Sequence, residues 1–373
     1  MQSEAIKGHT EMLERHRFKS IPGESILAKE LFDLINATMN PENCTSAKYL
    51  LCEWTRGAPW GLGSMIHLIL ACLPAAVATH RVLRLNSATF RPESWETYLL
   101  PPSDTCANHP LTDIQDWSTI ETPEKSLVNT LRITLPDKGP KKSLHLFTAF
   151  SVPPRFAGIS KKHRIPELWM VGQYVRYLIQ PTKKLRQFIS NVVSKIGFRT
   201  PVVGLHIRRG DKVREVKPTP LNKYFDEINQ YFLTRNYDTK LVFLATDDKN
   251  VFNDCRDKYK QYTFIQLESD KTKRTNTMVT LTDIILLAET DYFVGTFSSN
   301  VGLLVHELRQ QRYKDGSCMS KSTDVTAYHF MTCCNIGAMK FLSRDESNLG
   351  VLQHCSLEHQ FCRIHPQLFE RVS

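Results

Sequence analysis

The feature that most constrains the fold is an alternation between Pro201 and Gln310. Short apolar, β-branched runs of strand length take turns there with stretches of helical length. VVGLHI (202–207), LVFLAT (241–246), TFIQL (263–267) and DYFVGT (291–296) read as buried strands. Between them, residues 221–234 set Leu221, Tyr224, Phe225, Ile228 and Phe232 on one helical face. Met278 to Thr290 is an apolar helix, and another runs from about Ser299 to Gln310. Parallel strands need a crossover of a dozen or more residues, usually a helix. Strands that alternate with helices therefore predict a parallel sheet in a doubly wound α/β domain.

In an open parallel sheet, ligands bind outside the carboxyl ends of the strands. Three of these ends carry clustered polar groups. Arg208-Arg209-Gly210-Asp211-Lys212 follows the first strand, Asp247-Asp248 the second, and Ser298-Ser299-Asn300 the fourth, where a helix opens. Arginines give bidentate donors, and a helix amino terminus adds free N–H groups and the positive end of its dipole. Together they suit a diphosphate. The carboxylates suit ribose hydroxyls, base N–H groups or the neighbouring arginines. The bland alternative is surface ion pairing at ordinary polar strand ends. There is no G-x-x-x-x-G-K-[ST] loop, so this is not a P-loop enzyme. Without G-x-G-x-x-G after a first strand, a nicotinamide or flavin cofactor is not expected either.

The rest of the chain is less regular. Ile26, Leu27, Leu31, Leu34 and Ile35 form a helical stripe ending before Asn40-Pro41, a helix that packs on the body or on a second subunit. Residues 57–80 hold no charged side chain, yet Pro59, Gly61, Gly63, His67, Pro74 and His80 interrupt them. A buried helix near Met65–Ala78 fits better than a membrane span. Residues 100–166 are rich in proline and short polar stretches, with two short strands expected near LRITL and LHLFTAF. The amino terminus lacks an apolar signal-peptide core. The chain is then either cytosolic or a lumenal part without its anchor.

Charge and cysteines bear on that choice. The net charge of +10 permits an anionic partner, but no zinc-finger spacing and no aromatic-plus-basic RNA signature is present, so nucleic acid is not expected. The ten cysteines include no CxxC pair, which argues against a zinc site. Two N-x-T sequons, at Asn36 and Asn43, join the cysteines in favouring a secretory lumen.

The segment His206-Ile207-Arg208-Arg209-Gly210-Asp211-Lys212 resembles the H-x-R-R-x-D-K motif of the α-1,6-fucosyltransferases. That family includes the enzyme that fucosylates the innermost N-acetylglucosamine (GlcNAc) of N-glycans and the nodulation fucosyltransferases. The HxRRGD core is shared more widely, with α-1,2- and, more loosely, protein O-fucosyltransferases. Further stretches narrow the resemblance. Leu244–Asp248 resembles the family's LATDD, and Phe293–Asn300 its F-V-x-T-F-S-S-Q. VGQYVRYLIQP (171–181) and the Asn43–Leu51 stretch also match, and the similarity runs from about Glu24 to Gln311.

The resemblance implies a GDP-fucose-dependent inverting glycosyltransferase of GT-B-like shape with no metal. It implies an amino-terminal helical segment (1–43), an open-sheet α/β domain (44–199) and a Rossmann-like GDP-sugar domain (200–373). Arg208 would pair with the donor's β-phosphate, with Arg209 supporting it. His206, Asp283 and Ser299 would help hold GDP, with Asp247, Asp248 and Ser298 in the same crevice. Asn300 stands where the family has Gln. Glu215 would be the general base with Lys212 beside it, after a one-residue gap against the family spacing; a solvated loop acid is the alternative. The Trp60–Gly63 loop, through Gly61 and Gly63, would approach the donor, or is a simple tight turn.

The resemblance also implies the pairs Cys44–Cys106 and Cys52–Cys72. Two other family disulfides are replaced, one by Ala58 and Ser64, the other by Gly295 and Gly302. The chain ends at Ser373, too soon for the SH3-like domain of metazoan members. The expected acceptor is GlcNAc O6 of an N-glycan core. A chitin-type oligosaccharide, another glycan position, or a silent glycan- or nucleotide-binding paralogue are the alternatives. A Golgi or other secretory lumen is the expected location, and a homodimer through the amino-terminal helix the expected assembly.

Overall fold

The computed structural model describes residues 26–54, 61–86, 93–135, 165–210, 217–235, 237–267, 276–311 and 316–324, together with Phe156, Gly158, Ile159 and His163. The chain forms two compact units, the first ending at Lys184 and the second beginning at Leu185.

The first unit opens with α1 (Ile26–Met39), whose Ala28, Leu31, Ile35 and Met39 recur every three or four residues and are all buried. Its sheet holds β1 (Tyr49–Trp54), β2 (Val82–Leu85), β3 (Ile114–Asp116) and β4 (Thr130–Leu135). The order is β2-β1-β4-β3, and every pair is parallel. Between β1 and β2 runs α2 (Leu62–Ala78), apolar nearly all round, as a helix buried against a sheet must be. It is a core helix, and among the described residues no helix is long and apolar enough to cross a membrane. α3 (Pro166–Leu178) starts with proline at its first turn, where no N–H partner is lost, and is buried along most of its length. Two disulfides tie the unit together. Cys44 pairs with Cys106, and Cys52 on β1 with Cys72 on α2, both as the resemblance implied.

The second unit begins with α4 (Lys183–Ile196), which buries Leu185, Ile189 and Val193 along one stripe. Its elements then follow as β5 (Val203–Ile207), α5 (Leu221–Leu233), β6 (Leu241–Thr246), α6 (Lys249–Lys258), β7 (Thr263–Ile265), α7 (Thr277–Glu289), β8 (Tyr292–Gly295), α8 (Asn300–Leu308) and β9 (Ser320–Ser322). The strands lie in the order β7-β6-β5-β8-β9, all parallel. Alternation along β5 shows why helices cover both faces. Val203, Leu205 and Ile207 join Tyr224, Phe225 and Ile228 of α5 and Val251 and Cys255 of α6 in one core. On the other face, a side chain at Gly204 would strike Thr290 and Leu287, at the end of α7.

These two α/β units on parallel sheets agree with the fold class expected from sequence. The four strands and three helices read between 201 and 310 are present, with β7 ending at Ile265, two residues early. Reading the sequence missed α4, α6 and β9 here, and β1, β2, β3 and α3 in the first unit. The strand expected near LRITL is β4; the one expected near LHLFTAF lies outside the described residues.

Each unit is held at the amino edge of its sheet by one fully buried arginine. Arg81, just before β2, donates to the carbonyls of Tyr49, Ser126, Val128 and Asn129 at 2.9–3.3 Å, tying the starts of β1 and β4 together. Arg309 donates to the carbonyls of Thr290 (2.6 Å), Ala288 (3.2 Å), Asp291 (3.3 Å) and Met319 (2.9 Å) and to the Ser320 hydroxyl (3.0 Å). It thereby closes the open carbonyls at the carboxyl end of α7 and fixes the starts of β8 and β9.

Arg309→Met fills similar volume but leaves these buried carbonyls without a donor. At roughly 1–3 kcal/mol per unsatisfied buried group, the second unit should lose about 3 kcal/mol or more. Urea unfolding followed by circular dichroism checks this. Arg309→Lys should not restore the loss, because an ammonium cannot reach acceptors spread over this fork.

Candidate functional site

The carboxyl ends of β6, β5 and β8 lie side by side, because β5 is the middle strand and pairs with both neighbours. In the β5–β6 register Ile207 faces Thr246, which brings Arg208 beside Asp247. In the β5–β8 register His206 faces Gly295, so the chain beyond Gly295 runs alongside Arg208 and Arg209. The described residues of the three polar clusters thus meet at one edge.

Asp247 organises this edge. Its carboxylate accepts from Arg208 Nη1 at 2.5 Å and from the Arg209 backbone N–H at 2.8 Å. About a third of the Arg208 side chain stays exposed (31%), so the ion pair sets its direction without sealing it. Gly210 completes the arrangement. A Cβ there would lie 2.2 Å from Asp247 Oδ2, so any side chain would push the carboxylate off the arginine.

Arg209 goes elsewhere. Its guanidinium lies near the Tyr224 phenol and the Cys255 thiol. Burial raises the pKa of both groups, and the nearby positive charge offsets part of that rise. The Cys255 thiol is pushed up to about 12 and stays protonated and inert at neutral pH. Arg209 Nε is buried and makes no hydrogen bond to any described residue. Asp248 takes a local role as N-cap of α6, accepting from the Asn250 N–H at 2.9 Å.

After β8 the chain turns through Thr296, Phe297 and Ser298 into Ser299, the N-cap of α8, whose side chain does not close the cap. Asn300 is the first residue of that helix. The helix sits low on the sheet: a Cβ at Gly302 would be 2.2 Å from the Thr296 carbonyl oxygen and 3.4 Å from His206 Nδ1. A Cβ at Gly295 would come within 2.8 Å of the Phe293 ring. The resemblance gives these two positions a disulfide in other members; here close packing fills the space instead.

The turn is latched by Asp324, which sequence reasoning missed. Its carboxylate accepts from the Phe297 N–H (2.9 Å), the Ser322 hydroxyl (2.9 Å) and the Ser298 hydroxyl. The Ser298 proton therefore points at Asp324. Asp324 follows β9, a polar three-residue edge strand with no apolar pattern to announce it.

Asp283 lies on α7, buried, on a helix that packs against α8 and β5. Gly61 caps α2 and Gly63 follows in its first turn, both in the first unit. Gly61 has an ordinary negative φ of −73°, and a side chain there would meet open space. Lys212 and Glu215 lie outside the described residues. No group of three or more His, Cys, Asp or Glu side chains is arranged to hold a metal among the described residues.

A parallel α/β unit with arginines and a helix amino terminus at adjacent strand ends is an anion-binding architecture. The chain belongs to the α-1,6-fucosyltransferase family: residues 9–328 match the model of the alpha-(1,6)-fucosyltransferase N- and catalytic domains. It is 31% identical over 322 residues to an alpha-(1,6)-fucosyltransferase of Drosophila melanogaster, covering 81% of this chain and 51% of that protein. A Caenorhabditis elegans alpha-(1,6)-fucosyltransferase is 25% identical over 343 residues, covering 84% of this chain and 58% of its own. The chain thus spans about half the length of the curated relatives it matches. Among solved structures, an Arabidopsis thaliana FUT1 mutant in complex with GDP aligns with a TM-score of 0.48 at 14% identity, over 78% of this chain and 79% of its own.

Asp324→Ala should release the turn before α8 and leave β8 paired. Losing a charge-assisted bond worth roughly 1.5–3 kcal/mol predicts about 10- to 100-fold faster exchange of the Phe297 amide. Amide exchange within β8 should stay unchanged. Hydrogen exchange resolved by mass spectrometry or NMR reads both.

Proposed function

We propose that this chain transfers fucose from GDP-fucose to a glycan with inversion at the anomeric carbon, the acceptor atom being O6 of the GlcNAc at an N-glycan core. The observation that carries this reading is the strand-end cluster, where Arg208 and Arg209 leave the middle strand between Asp247 and the amino terminus of α8. Family membership supplies the reaction type.

Breaking the bond between fucose C1 and the β-phosphate oxygen leaves an electron pair, and negative charge, on GDP. Arg208, aimed by Asp247, meets that charge through its guanidinium. Arg209, its guanidinium turned toward Tyr224 and Cys255, supports it only as a more distant positive charge, and the amino terminus of α8 adds the positive end of the helix dipole. No divalent cation is required for this. His206 and Asp283 flank the nucleotide, with Asn300 in the first turn of α8. Ser298 contributes through Asp324, by keeping the turn in place, and Asp248 through the N-cap of α6. Glu215, assisted by Lys212, takes the acceptor hydroxyl proton as the acceptor oxygen attacks C1 from the opposite side. A Golgi or other secretory lumen is the compartment, consistent with the two disulfides of the first unit. A second copy of the chain, joined through the amino-terminal helix, is the proposed assembly.

Two substitutions test the assignment. Arg208→Ala should leave the fold intact, because the side chain is at a strand end outside the core, and cut turnover by about 100-fold or more. Near-normal turnover sinks the phosphate role, and unfolding makes Arg208 structural. Glu215→Gln should lower kcat by roughly 100- to 10,000-fold while GDP affinity, measured by calorimetry, hardly changes. A solvated loop acid would leave both quantities as they are. The same calorimetry should show GDP bound in preference to UDP.

A further inference from the structure

The two sequons of the first unit are seven residues apart, and the structure treats them differently. Asn36 sits within α1, half-buried, and its Oδ1 accepts from Asn40 Nδ2 at 2.9 Å. Asn40 is itself a clamp. Its Oδ1 accepts from the Asp104 N–H at 2.8 Å, the Thr105 N–H at 3.3 Å and the Ser103 hydroxyl at 3.3 Å. This holds the loop leading into Cys106, the partner of Cys44. Thr38, the third residue of that sequon, turns its hydroxyl back to the Leu34 carbonyl at 2.8 Å. Asn36 and Thr38 are thus half-buried and held in helical conformation, so this sequon is not displayed as an exposed turn.

Asn43 lies beyond the helix in the turn before β1. Asn43 and Thr45 are both exposed. The Asn43 Oδ1 accepts from the Thr45 N–H at 2.9 Å, so the amide nitrogen is the outward end of the side chain. The middle residue, Cys44, is inside a disulfide in the folded chain, but its partner lies 62 residues further along. During synthesis the sequon emerges with Cys44 still unpaired, so the bridge does not obstruct modification.

We propose that Asn43 is an N-glycosylation site and that Asn36, despite its sequon, is bare in the folded protein. In the reaction, Asn43 Nδ2 forms a bond to the anomeric carbon of an oligosaccharide carried on a lipid diphosphate. The carbon–oxygen bond to the diphosphate breaks, its electron pair leaves with that group, and one amide proton passes to a base of the transferring enzyme. The glycan then projects into solvent from the edge of the first unit, beside the Cys44–Cys106 bridge. The proposal rests on the lumenal reading given above.

The test places the chain behind a cleavable export leader and translates it with microsomes. Protease-protected chains with Cys44–Cys106 closed are isolated, and glycans are released enzymatically in H₂¹⁸O, which marks each formerly occupied asparagine. The expected label is on residue 43 and absent from residue 36. Asn43→Gln and, separately, Thr45→Ala should each abolish the mobility shift, and Asn36→Gln should leave it unchanged. Protected chains without label at 43, or with label at 36, overturn the proposal. Chains that never become protease-protected overturn the lumenal reading and the proposal with it.

Discussion

Everything at the candidate site depends on the parallel pairing of one central strand with its two neighbours. β5 pairs in register with β6 and with β8, so the backbone delivers three loops to one edge regardless of what those loops contain. A slip of one residue in either pairing would turn every side chain of that strand to the opposite face. Val203, Leu205 and Ile207 prevent that on one face by filling a core with α5 and α6. Gly204 prevents it on the other, since nothing larger fits against Thr290 and Leu287. The placement of Arg208 is thus decided by apolar packing well below it.

The polar groups divide into those that could act and those that hold. Asp247 holds Arg208, and Gly210 makes room for that contact. Asp324 holds Ser298 and the turn before α8. Arg309 holds the opposite end of the sheet, far along the same strands. A carboxylate near a diphosphate would repel it if exposed and unpaired. Asp247 and Asp324 are instead engaged with N–H and O–H donors, so their charge is spent on the scaffold and the arginines and α8 dominate the edge.

The sequence announced most of this because the strands of the second unit are short apolar runs with helices of clear period between them. Several of the elements it hid share a physical cause. α6 buries little beyond Val251 and Cys255, so its stripe is too narrow to register, and only its N-cap Asp248 marks it. β9 is Ser-Lys-Ser, an edge strand held by its backbone and by Arg309, with no hydrophobic face to read. Asp324 was invisible for the same reason, since its importance depends on β9 lying beside β8. In the first unit, β1 is one short run beside a cysteine motif and β2 has only four residues, too few for alternation to show. The disulfide partners, in contrast, came from family resemblance, because spacing alone leaves the pairing of ten cysteines open.

We propose that the strand-end cluster serves fucosyl transfer from GDP-fucose. The most direct measurement incubates the purified chain with GDP-fucose and a panel of N-glycan and chitin-type acceptors, following GDP release and acceptor mass together. The account predicts that an acceptor with a free core GlcNAc O6 gains one fucose for each GDP released. GDP-fucose that binds while no glycan gains fucose, with GDP release no faster than without acceptor, would contradict it.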